Sequence, residues 1–247
     1  MPPRRSSRIN PSSKKTSSPI ISKSKTKKVV KEVKVVKKAK TPPKPSQNSV
    51  TMKTETDADG TVRCSWCTKD PDYLYYHDNE WGFPVKDDRL LFELLVLEGA
   101  QAGLNWLTIL KKRKGYKEAF DNFDAETVAG YSESKVQELI SNPNIIRNKL
   151  KINSAIVNAK AFLEVQKEFA GSFANYLWQF APESPTAWKN AGNMCRATSP
   201  ESEAMSADLK KRGFRFVGPT ICYALMQSIG MVNDHHQSCF LFPKESE

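Results

Sequence analysis

The sequence predicts an all-α globule behind a disordered basic N-terminal tail. Three observations carry this expectation. Apolar residues recur at helical spacing from Arg63 onward, with no series of alternating strands and no internal repeat. Residues 1–54 contain no aromatic side chain and are rich in Pro, Ser, Thr, Lys and Val. The charge is divided as sharply as the composition. Of the 38 Lys and Arg in the 247 residues, 16 lie in Met1–Thr54 with a single acid, Glu32, so that segment carries +15. The remaining 22 basic and 26 acidic residues leave the rest at −4, which together make the net +11.

A segment so charged and so poor in bulky apolar groups cannot offset the entropy of ordering. The expected division is therefore a disordered basic tail, residues 1–57, and an α-helical domain, residues 58–247. Val29–Lys38 could form a transient helix or strand within the tail. A solvated arm of this kind suits nuclear import and sequence-blind attraction to phosphates. An organelle transit peptide is the rival reading and a cytoplasmic location the other; Lys dominance over Arg and the many prolines favour the nucleus. No apolar run approaches the roughly 20 residues of a membrane-spanning helix, so no membrane partner is expected. Five cysteines form no disulfide-scaffold pattern, which favours free or metal-bound thiols in a reducing compartment.

The elements follow in order. Asp87 and Asp88 precede Leu90, Leu91, Leu94, Leu95 and Leu97, a helix with acids in its first turn. Gly103 closes or bends it. Trp106, Leu107 and Leu110 lead into Lys111–Lys114, cations near a helix C-terminus and a possible second basic patch. Ser134 and Gln137 resemble a capping box before Val136, Leu139 and Ile140. Ile152, Ile156, Ala159, Phe162 and Leu163 form one stripe of a longer helix, and Gly171 separates it from Phe173, Tyr176, Leu177 and Phe180. Residues 181–205 read as a loop. Two last helices bracket the run from Gly213 to Pro219.

That bracket is chemically suggestive. Gly213 suits a left-handed cap after Leu209-Lys210-Lys211-Arg212. Gly218-Pro219-Thr220 opens the next helix, with proline where its missing N–H costs nothing. Backbone N–H groups at that helix start, ringed by Lys210, Lys211, Arg212 and Arg215, can seat a phosphate. The predicted DNA contacts are Lys210, Lys211, Arg212, Gly213, Arg215, Gly218 and Thr220. An ordinary helical hairpin with a solvated basic face explains the same residues.

Candidate metal ligands are few. Cys64 and Cys67 form a C-x-x-C, His77 follows 13 residues after Cys64, and His235 and Cys239 stand four apart, as on one helix face. Two pairs of soft ligands could hold zinc, and plain packing explains them equally. A zinc deaminase is excluded, because His77-Asp78-Asn79-Glu80 lacks the H-x-E pattern and the C-x-x-C lies upstream.

Five stretches together resemble the DNA-3-methyladenine glycosylase I family. They are Arg63–Trp66, Tyr75–Gly82, Leu97–Trp106, Lys210–Gly218 and Val232–His235, and the likeness runs from about Arg63 to Pro243 without covering the tail. The resemblance implies a helix-hairpin-helix DNA glycosylase that removes 3-methyladenine from alkylated double-stranded DNA, and a monomer is expected. It also implies one structural zinc on Cys64, His77, His235 and Cys239, with Cys67 and His236 outside the set. A base in a duplex must be flipped out to be reached. A cationic base such as 3-methyladenine calls for aromatic faces and a carboxylate. The family's pocket corresponds to Trp106 for stacking, Glu98 and Tyr76 for hydrogen bonds to the base edge, and Trp66 and Tyr73 as lining. Read without the resemblance, Glu98 late in a Leu-rich helix would be a surface residue and Trp106 simple core packing.

One departure matters. Where many hairpin glycosylases carry V-D-x-H, this chain reads Val232-Asn233-Asp234-His235, so Asn stands in the aspartate position. A leaving group already activated by its positive charge needs little acid help. Glu98 is therefore expected to act by electrostatic stabilisation. No lysine is evidently placed as a Schiff-base nucleophile, which points to a monofunctional enzyme without strand cleavage. The competing readings are a non-catalytic DNA-binding protein that keeps this fold and a small-molecule enzyme using the aromatic pocket.

Overall fold

The computed structural model describes residues 50–51, 53–67, 69–183 and 194–242. The expectations for residues 1–49, including the possible helix or strand at Val29–Lys38 and its sorting role, lie outside the described residues. The described part is predominantly helical, as expected, with two short antiparallel ribbons. Strand β1 (Val50–Thr51) pairs with β4 (Met194–Cys195), and β2 (Thr54–Thr56) pairs with β3 (Val62–Cys64) in the register Thr54–Cys64. Among the described residues pairing begins at Val50, and residues 57 and 58 lie in the turn of the β2–β3 hairpin. The turn uses Gly60 at φ +79°, with Gly60 N donating to Asp57 O at 2.9 Å. Asp59-Gly60 between β-branched residues is a hairpin signal too short to stand out against the charged segment before it.

The centre of the fold is α2 (Asp88–Gln101). Every residue from Leu91 to Ala100 is buried, so neighbours surround this helix on all sides. Asp87 caps its start by accepting from Leu90 N at 2.8 Å, a contact of about 1 kcal/mol. Gly103 at φ +74° turns the chain after it. Lys151 closes the other end, donating to Ala100 O at 2.8 Å and Ala102 O at 2.7 Å. Around α2 pack α3 (Trp106–Ala119), α6 (Lys149–Glu168), α7 (Phe173–Leu177) and α9 (Pro219–Ser228), and α1 (Pro71–Asn79) packs on α3. Helices α4 (Ala125–Ala129) and α5 (Glu133–Ser141) cover α6 from the other side. The predicted stripe of α6 is buried at Ile152, Ile156, Ala159 and Phe162, while Leu163 is half-buried and Val165 takes the inward position. Asp88 joins α2 to α7: it accepts from Gln166 Nε2 at 2.7 Å, Phe173 N at 2.6 Å and Ala174 N at 2.8 Å.

Three local expectations are corrected. The cap of α5 is Ser132, which accepts from Lys135 N at 3.3 Å, rather than Ser134 with Gln137. Residues 181–205 are not a loop throughout, because α8 runs from Pro200 to Lys211. Its start is a capping box, Ser199 with Ser202, followed by proline at the first position; Ser and Pro here are helix-start residues. His235 and Cys239 do not share a helix. The chain after α9 runs in turns, because Asn233 Oδ1 accepts from His235 N at 3.1 Å and closes a local side-chain turn instead.

Candidate functional site

Glu98 lies on α2 with 3 % exposure, and no Lys, Arg or His pairs with it among the described residues. A second buried acid of that helix makes the contrast. Glu93 is equally enclosed but receives Arg113 and Lys117. Burial pushes the Glu98 carboxyl up to about 8, opposed by a hydrogen bond with Ser228 of α9. Buried Tyr76 from α1 and Trp106 from the first turn of α3 meet with ring centroids 5.4 Å apart. Trp66, in the single turn Ser65–Cys67 after β3, stands edge-on to Tyr73 at 5.2 Å and to Tyr76 at 6.5 Å. Both Trp66 and Tyr73 are half-buried, so the aromatic set runs from surface to interior. Burial and the nearby Glu98 charge raise the Tyr76 hydroxyl well above its usual range. Burial first, then the Cys67 and Glu98 charges, push Tyr73 up to about 12. Both phenols are therefore neutral hydrogen-bond donors at neutral pH. The Trp106 indole Nε1 is buried without an acceptor. Such an orphan donor costs on the order of 1–3 kcal/mol. A carboxyl without a cation and an indole N–H without an acceptor, set among aromatic faces, form a site that a flat cationic heterocycle completes. Two open grooves, of about 500 and 520 Å³, lie elsewhere on the surface and include none of Tyr76, Glu98 or Trp106.

Beside this cluster the two ends of the domain meet. Cys64 closes β3, His77 projects from α1, and Cys239 comes from the last turns; their ligand atoms lie within 4.8 Å of one another, all buried. The His235 ring centroid is 5.0 Å from that of His77, and its Nε2 is buried without a partner. Two sulfurs and two imidazoles fit a four-coordinate soft divalent cation, and the orphaned Nε2 is the observation that fits it best. Burial, then the His77 charge, pushes the His235 imidazole down to about 4, keeping it neutral as a ligand must be. The hydrogen bond between the Cys64 and Cys239 thiols drives them apart: Cys64 is pushed up and Cys239 down. The other two residues of these motifs make contacts of their own, and His236 N donates to Cys64 Sγ at 3.3 Å. Cys67 donates Sγ–H to Cys64 O at 3.0 Å, and burial pushes it up to about 12. His236 Nδ1 accepts from Ser238 N at 3.0 Å.

The hairpin stands on the opposite flank of α2. Helix α8 ends with Phe214 N donating to Leu209 O at 3.0 Å and Gly213 N to Lys210 O at 3.0 Å, with Gly213 at φ +92°. Phe214 and Val217 are buried and pin the turn. Phe216 adopts φ +53°, and a Cβ on Gly99 would stand 3.3 Å from the Phe216 Cβ. The turn thus rests on the residue next to Glu98. Gly218 begins α9 without a side-chain cap, with Pro219 at its first position. Lys210, Lys211, Gly213, Arg215 and Thr220 are exposed around it, and Gly218 is half-buried.

Arg212 differs from the other predicted contacts. It bonds Asp208 at 2.7 Å and Glu168 at 2.7 Å, and lies 5.3 Å from the Phe169 ring centroid and 4.8 Å from that of Tyr176. Its charge is thereby committed inside the protein. The possible patch at Lys111–Lys114 is likewise engaged. Lys111 bridges Asp70 and Asp72, Lys112 donates to Pro143 O, Arg113 pairs with Glu80 and Glu93, and only Lys114 is left largely to solvent. Residues that sequence reasoning passed over are Ser228, Asn158, Arg63, Asp78 and the side chain of Asn233. Each acts through a partner distant in sequence or through a local turn, which no spacing announces.

A family model described as methyladenine glycosylase matches residues 66–242. DNA-3-methyladenine glycosylase 1 of Escherichia coli (strain K12) is 45 % identical over 183 residues, covering 73 % of this chain and 97 % of the relative. A crystal structure of 3-methyladenine DNA glycosylase I superposes with a TM-score of 0.67 at 45 % identity, over 73 % of this chain and 100 % of that one. A variant of 3-methyladenine DNA glycosylase I in complex with 3-methyladenine gives a TM-score of 0.68 at 35 % identity, over 74 % of this chain and 98 % of that one. The chain belongs to the methyladenine glycosylase family.

Proposed function

We propose that this protein is a DNA-repair glycosylase that hydrolyses the N-glycosidic bond of 3-methyladenine in alkylated double-stranded DNA. The single observation that carries this reading is Glu98: a buried carboxyl near the Tyr76 and Tyr73 hydroxyls with no cation among the described residues to balance it. A flipped 3-methyladenine supplies the missing positive charge. Trp106 and Tyr76 offer faces for the ring, and the Tyr76 hydroxyl and the free Trp106 N–H offer donors to its edge.

Chemistry needs little more. The glycosidic bond breaks with its electron pair passing to the base, which leaves neutral. Water adds its hydroxyl to the sugar carbon and releases a proton, leaving an abasic site. Glu98, ionised once the cationic base is held beside it, stabilises the positive charge that develops on the sugar as the bond stretches. With Asn233 at the position of the usual aspartate and no lysine paired with Glu98 among the described residues, the expected reaction stops at the abasic site. Lys210, Lys211 and Arg215 would meet phosphates across the helix-hairpin-helix element, with the α9 N-terminus supplying backbone N–H groups.

The metal expected on Cys64, His77, His235 and Cys239 is zinc in a structural role. When bound it would tie the strand that leads into Trp66 to the C-terminal turns. Nothing in the reaction passes through it. The protein is expected to act as a monomer. A nuclear location for the tail is the corresponding proposal from composition.

The test is incubation of methylated duplex DNA with the full-length protein, with released bases identified by mass. Free 3-methyladenine, with strand breaks appearing only after alkali, supports the reading. Salt-dependent DNA binding with no released base supports instead the non-catalytic reading, which the intact set of Glu98, Tyr76 and Trp106 disfavours.

A further inference from the structure

Both imidazoles of the metal centre are gripped at Nδ1. His77 Nδ1 lies 2.7 Å from Asp78 Oδ1. Arg63 fixes that carboxylate, with Nε 3.0 Å from each oxygen and Nη2 2.8 Å from Oδ2. A carboxylate paired in this way with the Arg63 guanidinium accepts, so the proton of the 2.7 Å contact belongs on His77 Nδ1. For His235 the logic runs through Asn233. Its Oδ1 is 3.1 Å from His235 N, a group that can only donate, so this atom of the carboxamide is the oxygen. The same oxygen is 3.0 Å from His235 Nδ1, which must therefore carry its proton. Each ring is left with an unprotonated Nε2. That of His77 accepts from Cys64 N at 3.4 Å and lies 3.6 Å from Cys239 Sγ, and that of His235 is the buried atom without a partner.

We propose that Arg63, Asp78 and Asn233 are positioning residues that hold both histidines as Nδ1–H tautomers and so present two Nε2 lone pairs to the metal. The proposal rests on the zinc reading above. The asparagine in the aspartate position thereby has a use of its own, as the support of a ligand. Arg63 is itself held from a segment before the family match: its Nη1 is 2.7 Å from Asp57 and 3.3 Å from Asp59, both in the turn of the β2–β3 hairpin. The hairpin also binds the chain at the ligand, since Ser65 N donates to Lys53 O at 2.9 Å and Phe240 N to Val62 O at 2.9 Å. Support for the metal centre thus extends to residues that the family region does not include.

The experiment uses full-length protein loaded with zinc. Metal content is measured by atomic spectroscopy, affinity by competition with a coloured chelator, and ring protonation by imidazole nitrogen NMR. Removing an outer support of a metal-bound histidine costs about 10- to 100-fold in affinity. That loss is expected in Asp78→Ala, Asn233→Ala and Arg63→Ala. Asn233→Asp, which keeps the acceptor, is expected to stay close to wild type. Circular dichroism reports whether each variant keeps its helices; Asn233→Ala decides the matter if the Asp78 or Arg63 variant unfolds. Wild-type affinity in Asn233→Ala, or rings protonated at Nε2, overturns the proposal. A wild-type protein that takes up no zinc overturns the metal reading beneath it, which the metal content distinguishes.

Discussion

Asn158 grips the main chain of Arg215 at both ends: its Nδ2 donates to Arg215 O at 3.0 Å, and its Oδ1 accepts from Arg215 N at 2.7 Å. One buried side chain of α6 therefore replaces the ladder partner that a turn peptide would otherwise lack. The hairpin and the helix that carries its support are 57 residues apart in sequence. Asn158→Ala leaves both backbone groups unpaired and should cost about 1–3 kcal/mol. Thermal unfolding checks the loss, and duplex binding should weaken with it. Unchanged stability and affinity would show that the turn holds itself.

Arg215 and Arg212 separate a phosphate contact from an internal clamp. Arg215 is exposed, and its removal should lower the dependence of log affinity on log salt by about 0.9. Arg212→Ala should leave that slope unchanged and lower stability by about 1–2 kcal/mol, through lost ring stacking and ion pairs that are partly screened. Salt titrations of duplex binding, run beside denaturation curves, distinguish them. A slope that falls for Arg212→Ala and holds for Arg215→Ala reverses the assignment.

Glu98 should set a pH dependence of stability. Its carboxyl is raised from 4.5 to about 8 by burial, so folding favours the protonated form. Its stabilising contribution is complete below 4.5 and is lost as pH rises through about 8. Glu98→Gln removes the ionisation. The variant should match or approach wild type in acid and exceed it in alkali by on the order of a few kcal/mol. Unfolding free energies across that interval test the sign. Parallel curves for the two proteins would mean that the carboxyl is not desolvated.

Tyr76→Phe removes a hydroxyl and keeps the ring that meets Trp106. Base release should slow about tenfold to a hundredfold, the weight of one hydrogen bond to a charged or polar group in an enclosed site. Stability should change little. A rate equal to wild type would place the hydroxyl outside the base-binding edge.

Much of this was legible in the sequence because it follows from local rules. The acids before Leu90, the Gly213 cap and Pro219 each name their own structure, and α2, the hairpin and α9 follow from them. Cys64, His77, His235 and Cys239 were assembled by resemblance, since their spacing fits packing as well as metal. What escaped depends on distant partners. Lys210 and Arg212 look alike in sequence, yet Arg212 is diverted by Glu168 and by the faces of Phe169 and Tyr176, which folding brings beside it. The cations of Lys111–Lys114 are likewise matched by Asp70, Asp72, Glu80 and Glu93 from other elements. Ser199-Pro200 misleads for another reason, because the same residue types start helices and populate loops.

Glu98, buried with no cation paired to it among the described residues, is the group proposed to receive the alkylated base. The most direct measurement is the single-turnover rate of 3-methyladenine release from methylated duplex DNA, compared between wild type and Glu98→Gln at equal, saturating protein. Release by the wild type is expected, with a loss of about a hundredfold or more in the folded variant, the scale of removing one electrostatic stabiliser of a developing charge. Equal rates in the two proteins would contradict it.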